Sequence, residues 1–239
     1  MPVAKSGEAF HLGNVRFDRS GRCQEGQTML IVHKRPPEPT VIWAMSDQKG
    51  QNMEEPERFL TLDETSLSDA QRQAREAFLA GPRGVLTEPF NTLLRSPGLF
   101  DVVQRVGEYI RFHSALPAKL RELAILVTAR HWTAQFEWLG HSRIADEAGL
   151  APAIISAIAE GHRPAAMSED EAAVHDFACS LVRTGEVSDV VFADVRERFG
   201  EAGVVDLVGV VGYYTLISMV LNVARTRIPG GAVPLKPVR

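Results

Sequence analysis

The run VVDLVGVVGYYTLISMVLNVA, from Val204 to Ala224, leaves this chain few folds to choose from. It is too long for a strand and has no polar stripe at helical spacing, so it reads as a helix covered on every side. By length alone such a helix would also cross a bilayer. Asp206 and Asn222 bound it, however, and Gly209 and Gly212 permit close backbone approach. Those features suit the centre of a helix bundle or a subunit interface, and the membrane reading is set aside.

The chain supplies the partner helices such a bundle needs. Ser68 can cap a first helix that ends at Gly81, and a short helix is expected near Phe90 to Leu94. Ser96 with Pro97 opens another, in which Leu99, Val102, Val103, Val106, Tyr109 and Ile110 recur at helical spacing and are expected in the core. Pro117 opens the next, with Leu120, Leu123, Ala124, Leu126 and Val127 as a wide apolar stripe. Helices follow at Ala151 to Glu160, at Asp170 to Arg183 behind a Ser168/Glu171 capping box, and from Ser188 to Phe199, stopped by Gly200. The tail from Ile228 holds Pro229, Gly230, Gly231, Pro234 and Pro237 and reads as extended. The fold class is therefore all-α, a bundle of seven or eight helices over residues 66–239.

Residues 1–65 differ. They are polar, lack a helical period, and place Pro36, Pro37 and Pro39 between two short apolar runs, Met29 to Val32 and Val41 to Met45. A poorly ordered N-terminal extension is expected, with Met53 as a candidate translation start. No compact apolar signal segment is present, and Arg16, Arg19 and Arg22 are not taken as a targeting signal. Two cysteines, Cys23 and Cys179, make neither a disulfide framework nor a zinc motif, which fits a reducing cytoplasm. A net charge of −4 offers no basic field for nucleic acid, so small molecules or further copies of the chain are the expected partners.

The chemically informative stretch is LPAKLRELAILVTARHWTAQFEWLGHSRIADEAGL, Leu116 to Leu150. Gln135 to Ala148 favours helix and Gly149 stops it, so Glu137 and His141 stand at i and i+4, roughly 5–6 Å apart at Cβ. The plain structural reading is a solvated Glu/His pair, and for Glu122 a carboxylate that complements the start of its helix. Phe136, Trp138 and Leu139 crowd the same turns, however, and partial desolvation raises a carboxylate toward the range useful for proton transfer.

Glu122, eleven residues, position 134, two residues, position 137, three residues and His141 reproduce the E-x11-C-x2-C-x3-H spacing of the alkylhydroperoxidase-like proteins, with Ala134 and Glu137 in place of both cysteines. Together with RELAILVTARHW, the form FEWxxH resembles the carboxymuconolactone decarboxylase branch of that superfamily, from about Gly81 to Leu235. The resemblance implies an alkylhydroperoxidase-like helical bundle, a trimeric or hexameric homo-oligomer, and a cofactor-independent carboxy-lyase acting on a small carboxylated lactone in the breakdown of aromatic compounds. The alternatives are an alkylhydroperoxidase-like antioxidant, another proton-transfer enzyme, or a binding protein on the same fold.

Decarboxylation without a cofactor needs cations for the acid groups, an electron sink and a proton donor. The lactone's own unsaturated system would be the sink. His141 is the candidate donor, Glu137 its orienting partner, and Glu122 a second carboxylate that sets the protonation of the site. Arg83, Arg121 and Arg130 are candidates for holding substrate carboxylates, because a guanidinium pairs bidentately with them. Trp132, Trp138 and Tyr213 are candidate pocket walls, the competing reading being core. No metal is expected, since His131, Glu137 and His141 lack ligand spacing. Thiol peroxidase chemistry needs a low-pKa cysteine, which positions 134 and 137 do not supply unless Cys179 reaches the site.

Overall fold

The structure is a computed structural model that describes residues 16–17, 23–24, 56–231 and 233–236. The chain divides into two units, Met1–Asn52 and Met53–Arg239. In the first, Arg16–Phe17 (β1) and Cys23–Gln24 (β2) pair antiparallel, Arg16 opposite Gln24. The apolar runs at 29–32 and 41–45 and the candidate start at Met53 lie outside the described residues.

The second unit is helical: α1 Asp69–Leu79, α2 Phe90–Leu93, α3 Pro97–Phe112, α4 Ala118–His131, α5 Gln135–Glu147, α6 Pro152–Ala159, α7 Glu169–Thr184 and α8 Asp189–Ala224. The expected all-α bundle is thus the observed one. Its boundaries follow capping chemistry. Ser68 and Ser168 each close a capping box, with Gln71 and Glu171, and Gly185 ends α7 in the left-handed region at φ 77°. Ser96, expected to cap α3, makes no side-chain cap hydrogen bond, and Pro97 alone marks that start. α8 is broken at Gly200 (φ 68°, ψ −179°), so the two helices expected on either side of that glycine run on with a kink between them.

α4 is the central element. It packs against α5, α6, α7 and α8, and from Glu122 to Arg130 every residue is buried. α8 lies against α4 and α7, burying Leu207, Val210, Tyr214 and Ile217. This helix is long and apolar enough to cross a membrane, yet most of its apolar window faces the bundle. Asp206 ties it in place, accepting from Ser114 Oγ (2.9 Å), the Ala115 N–H (2.7 Å) and the Tyr109 hydroxyl (3.0 Å). Residues just ahead of α1 reach the far end of α8, where the Arg58 N–H donates to the Ala224 carbonyl at 2.9 Å.

One expectation about the core is reversed. Val103 and Ile110 are buried, but Leu99, Val102, Val106 and Tyr109 are 48%, 53%, 43% and 49% exposed. α3 carries two apolar stripes about 100° apart, and spacing alone does not choose between them. Phe100 makes the choice by joining Phe78 and Phe90 in a three-ring cluster, with centroids 4.7, 5.4 and 5.9 Å apart.

Candidate functional site

An ionisable residue buried on a central helix needs a partner, because a buried lone charge is expensive. Glu122 finds one on α5. The connection between the helices is short: Trp132 ends α4, Thr133 takes a left-handed conformation (φ 49°), and the wholly buried Ala134 starts α5. α5 therefore folds straight back along α4 and sets His141 against Glu122, with Nδ1 2.6 Å from Oε2. A carboxylate oxygen only accepts, so Nδ1 carries the shared proton. On the other side His141 Nε2 lies 3.4 Å from Oε2 of Glu137. The imidazole is thus flanked by two carboxylates, all three residues are buried, and the Tyr214 ring meets it edge-on at 4.9 Å.

The order of partners differs from the expected one. The residue one turn away on the same helix makes the longer contact, and Glu122, nineteen positions earlier in sequence, makes the short one. The i, i+4 relation fixes a shared face but not which carboxylate the ring turns toward.

Glu137 and His141 line a cavity of about 90 Å³. Arg83, Arg111, Tyr213 and Tyr214 share its wall with the apolar Pro89, Phe90 and Ile217 and with Thr87 and Glu88. Burial raises Glu137 above the ordinary carboxylate range of 4.5; His141, Arg111 and Arg83 oppose the shift and Glu122 adds to it. Burial likewise pushes Tyr213 up to about 12, so its hydroxyl stays protonated. The Arg83 guanidinium stacks 4.8 Å over the Phe90 ring and interacts with the Tyr213 hydroxyl, while its Nε is shielded from solvent with no hydrogen-bond partner among the described residues. Gly107 is required here, since a Cβ at that position would overlap the Tyr213 hydroxyl.

Of the sequence candidates, Glu137, His141, Arg83 and Tyr213 line this cavity, and Glu122 joins them through His141. The others do not line this cavity. Arg121 is one position from Glu122, hence about 100° around α4, and comes no nearer than 4.0 Å to its carboxylate. Arg130 is two turns further on, about 12 Å along the axis, and donates to the Lys236 carbonyl at 2.8 Å. Trp132 points from the end of α4 to Thr215, donating from Nε1 at 3.2 Å. Trp138 is core and backs onto an open hollow on the outer side of α5 and α6. Arg111 was not anticipated. The available signal was its i+4 relation to Gly107, a glycine inside a helix whose missing side chain marks a close approach.

Glu122, Glu137 and His141 all fall within one family match. Residues 97–178 match the model of the carboxymuconolactone decarboxylase family. The resemblance read from the sequence is borne out over that stretch, about a third of the chain and narrower than the span from Gly81 to Leu235 expected for it. The match supports the alkylhydroperoxidase-like superfamily. Arg83, Tyr213 and Tyr214 lie outside it, so the cavity is completed by flanking sequence. No curated protein matches the chain. Among the described residues, no group of three or more His, Cys, Asp or Glu side chains is arranged to hold a metal ion.

Proposed function

We propose that this protein is a cofactor-independent carboxy-lyase acting on a small carboxylated lactone or a related acid. The observation that carries the reading is a buried imidazole between two carboxylates, facing a cavity that holds two arginines. Arg83 and Arg111, which line the cavity beside Glu137, would bind the substrate's acid groups. The bond from the leaving carboxylate to its carbon breaks, carbon dioxide departs, and the electron pair enters the substrate's unsaturated lactone system. Glu137, kept protonatable by burial, passes its proton to His141 Nε2, and Nε2 delivers it to that carbon. Glu122 fixes the ring through Nδ1 and is a positioning residue.

The cavity is smaller than the roughly 300 Å³ at which ordinary ligand pockets begin, so it suits the acid end of a ligand, with the remainder projecting past the exposed Thr87. That volume also favours a second reading, proton transfer on a smaller acid, as in an isomerase. Neither reading uses a thiol: Ala134 and Glu137 stand at the dithiol positions, and Cys179 lines a different cavity.

The working form we propose is a cytoplasmic homo-oligomer, a trimer or hexamer, with the exposed stripe of α3 and its neighbours Val205 and Val208 buried between copies. Light scattering on the purified protein tests the assembly. For the reaction, purified protein is screened against lactone and keto acids by mass spectrometry. Release of carbon dioxide from a carboxymuconolactone, lost in His141→Ala and kept in Cys179→Ser, is the expected result. Turnover that depends on Cys179 and not His141 would sink it, as would a ligand-dependent rise in melting temperature with no turnover of any acid.

A further inference from the structure

A second cavity, of about 470 Å³, opens among α4, α6 and α7 and shares no lining residue with the His141 cavity. Its size is within the range of pockets that enclose small organic ligands. One part of its wall is apolar, from Val127, Ile158 and Val182, and another is cationic, from Arg130 and Arg183.

The state of Arg130 is what calls for a ligand. The residue is 6% exposed, and its guanidinium spends Nη1 on the Lys236 carbonyl, leaving Nε buried with no hydrogen-bond partner among the described residues. A buried donor without an acceptor is costly, and a guanidinium keeps its charge. Neither Arg130 nor Arg183 has a carboxylate within 4 Å among the described residues. The acid that does line the cavity, Asp176, is already engaged. It accepts two hydrogen bonds from Arg163, at 2.9 and 2.8 Å, and lies 2.9 Å from His175 Nδ1. The cavity therefore presents unmatched positive charge beside an apolar wall.

We propose that this cavity is a second binding site, for a small organic acid whose carboxylate meets Arg130 and Arg183 and whose apolar body lies against Val127, Ile158 and Val182. The site is independent of the reaction assigned to His141. Cys179 lines the same cavity, 3.6 Å from His175 Nε2, and reports on its occupancy.

The test follows alkylation of Cys179 by iodoacetamide, read by mass spectrometry, in the full chain carrying Cys23→Ser. Benzoate at ten times its dissociation constant is expected to slow the reaction about tenfold, since only the unoccupied fraction reacts. Benzyl alcohol, the same ring without the charge, is expected to have no effect at that concentration. Arg183→Gln, an exposed position that folding should tolerate, is expected to weaken protection by benzoate at least about tenfold, and Arg130→Gln to do the same. Glu137→Gln, at the other site, is expected to leave protection intact. The proposal is overturned if benzoate does not slow alkylation, if protection survives Arg183→Gln, or if Glu137→Gln removes it. Equal protection by inorganic phosphate would also overturn it, because the apolar wall would then contribute nothing.

Discussion

Two histidines in this molecule each sit against a carboxylate, and their surroundings lead them to different uses. His141 is buried between Glu122 and Glu137 beside a cavity of about 90 Å³. His175, also buried, lies beside Asp176, but that carboxylate is partly exposed and bound by Arg163. The acid beside each ring responds accordingly. Burial raises Glu137, whereas the Arg163 hydrogen bonds hold Asp176 below its usual range despite partial burial. A carboxyl that keeps its proton can exchange it with a substrate; one locked to a guanidinium serves as a strut. The same pair of residue types therefore gives a candidate reaction centre in one place and the edge of a binding cavity in the other.

The largest expected effect separates the two rings. His141→Ala should reduce turnover of whichever acid proves to be the substrate by about 10²- to 10⁴-fold, while Cys179→Ser beside His175 leaves it within about twofold; steady-state kinetics checks both. If the two variants lose activity equally, the contrast fails. Glu122→Gln comes next, with a loss on the order of tenfold to a hundredfold and a displaced pH–rate profile, because the imidazole loses the carboxylate that orients it. A merely structural role would lower the amount of folded enzyme without moving that profile.

The remaining effects concern stability and have opposite signs with pH. Glu137 is raised in the folded state, so the folded protein holds more protons than the unfolded chain above pH 4.5, and stability falls as pH climbs from there through the raised value. Glu137→Gln removes that loss and should raise the melting temperature at neutral pH by about 2–4 °C, with a flatter dependence on pH in thermal scans. Asp176 is lowered, so its contribution is present above 3.8 and disappears as pH falls through the depressed value. Because both partners are substantially exposed, Arg163→Ala should cost no more than about 1 kcal/mol in urea unfolding near neutral pH, shrinking in acid.

Much of the fold was legible before any coordinates. Capping residues and a glycine stop delimit helices at Ser68, Ser168 and Gly185 because those rules are local, each set by the hydrogen bonds of one turn, whereas Gly200 only kinks α8. The face of α3 was not legible, since both of its stripes are apolar and the decision rests with Phe78 and Phe90, which come from other elements. At the site, Glu122, Glu137 and His141 were found by spacing and by likeness to a family, and Arg83 and Tyr213 were among the candidates that converged. Arg121 and Arg130 lie away from the His141 cavity because proximity in sequence along a helix says little about direction, which turns by about 100° with every residue.

By itself, then, the sequence determined that this chain makes a bundle of capped helices, and that an imidazole and two carboxylates lie on two neighbouring ones. The apolar run from Val204 to Ala224, expected to be covered on every side, leaves Val205, Val208, Met219 and Val223 exposed. Tertiary structure decided which carboxylate touches the ring, which arginines share its cavity, and that Arg130 lines a different one. The reason is physical: helix formation depends on interactions within a few residues, whereas burial, charge pairing and cavities depend on how distant segments meet.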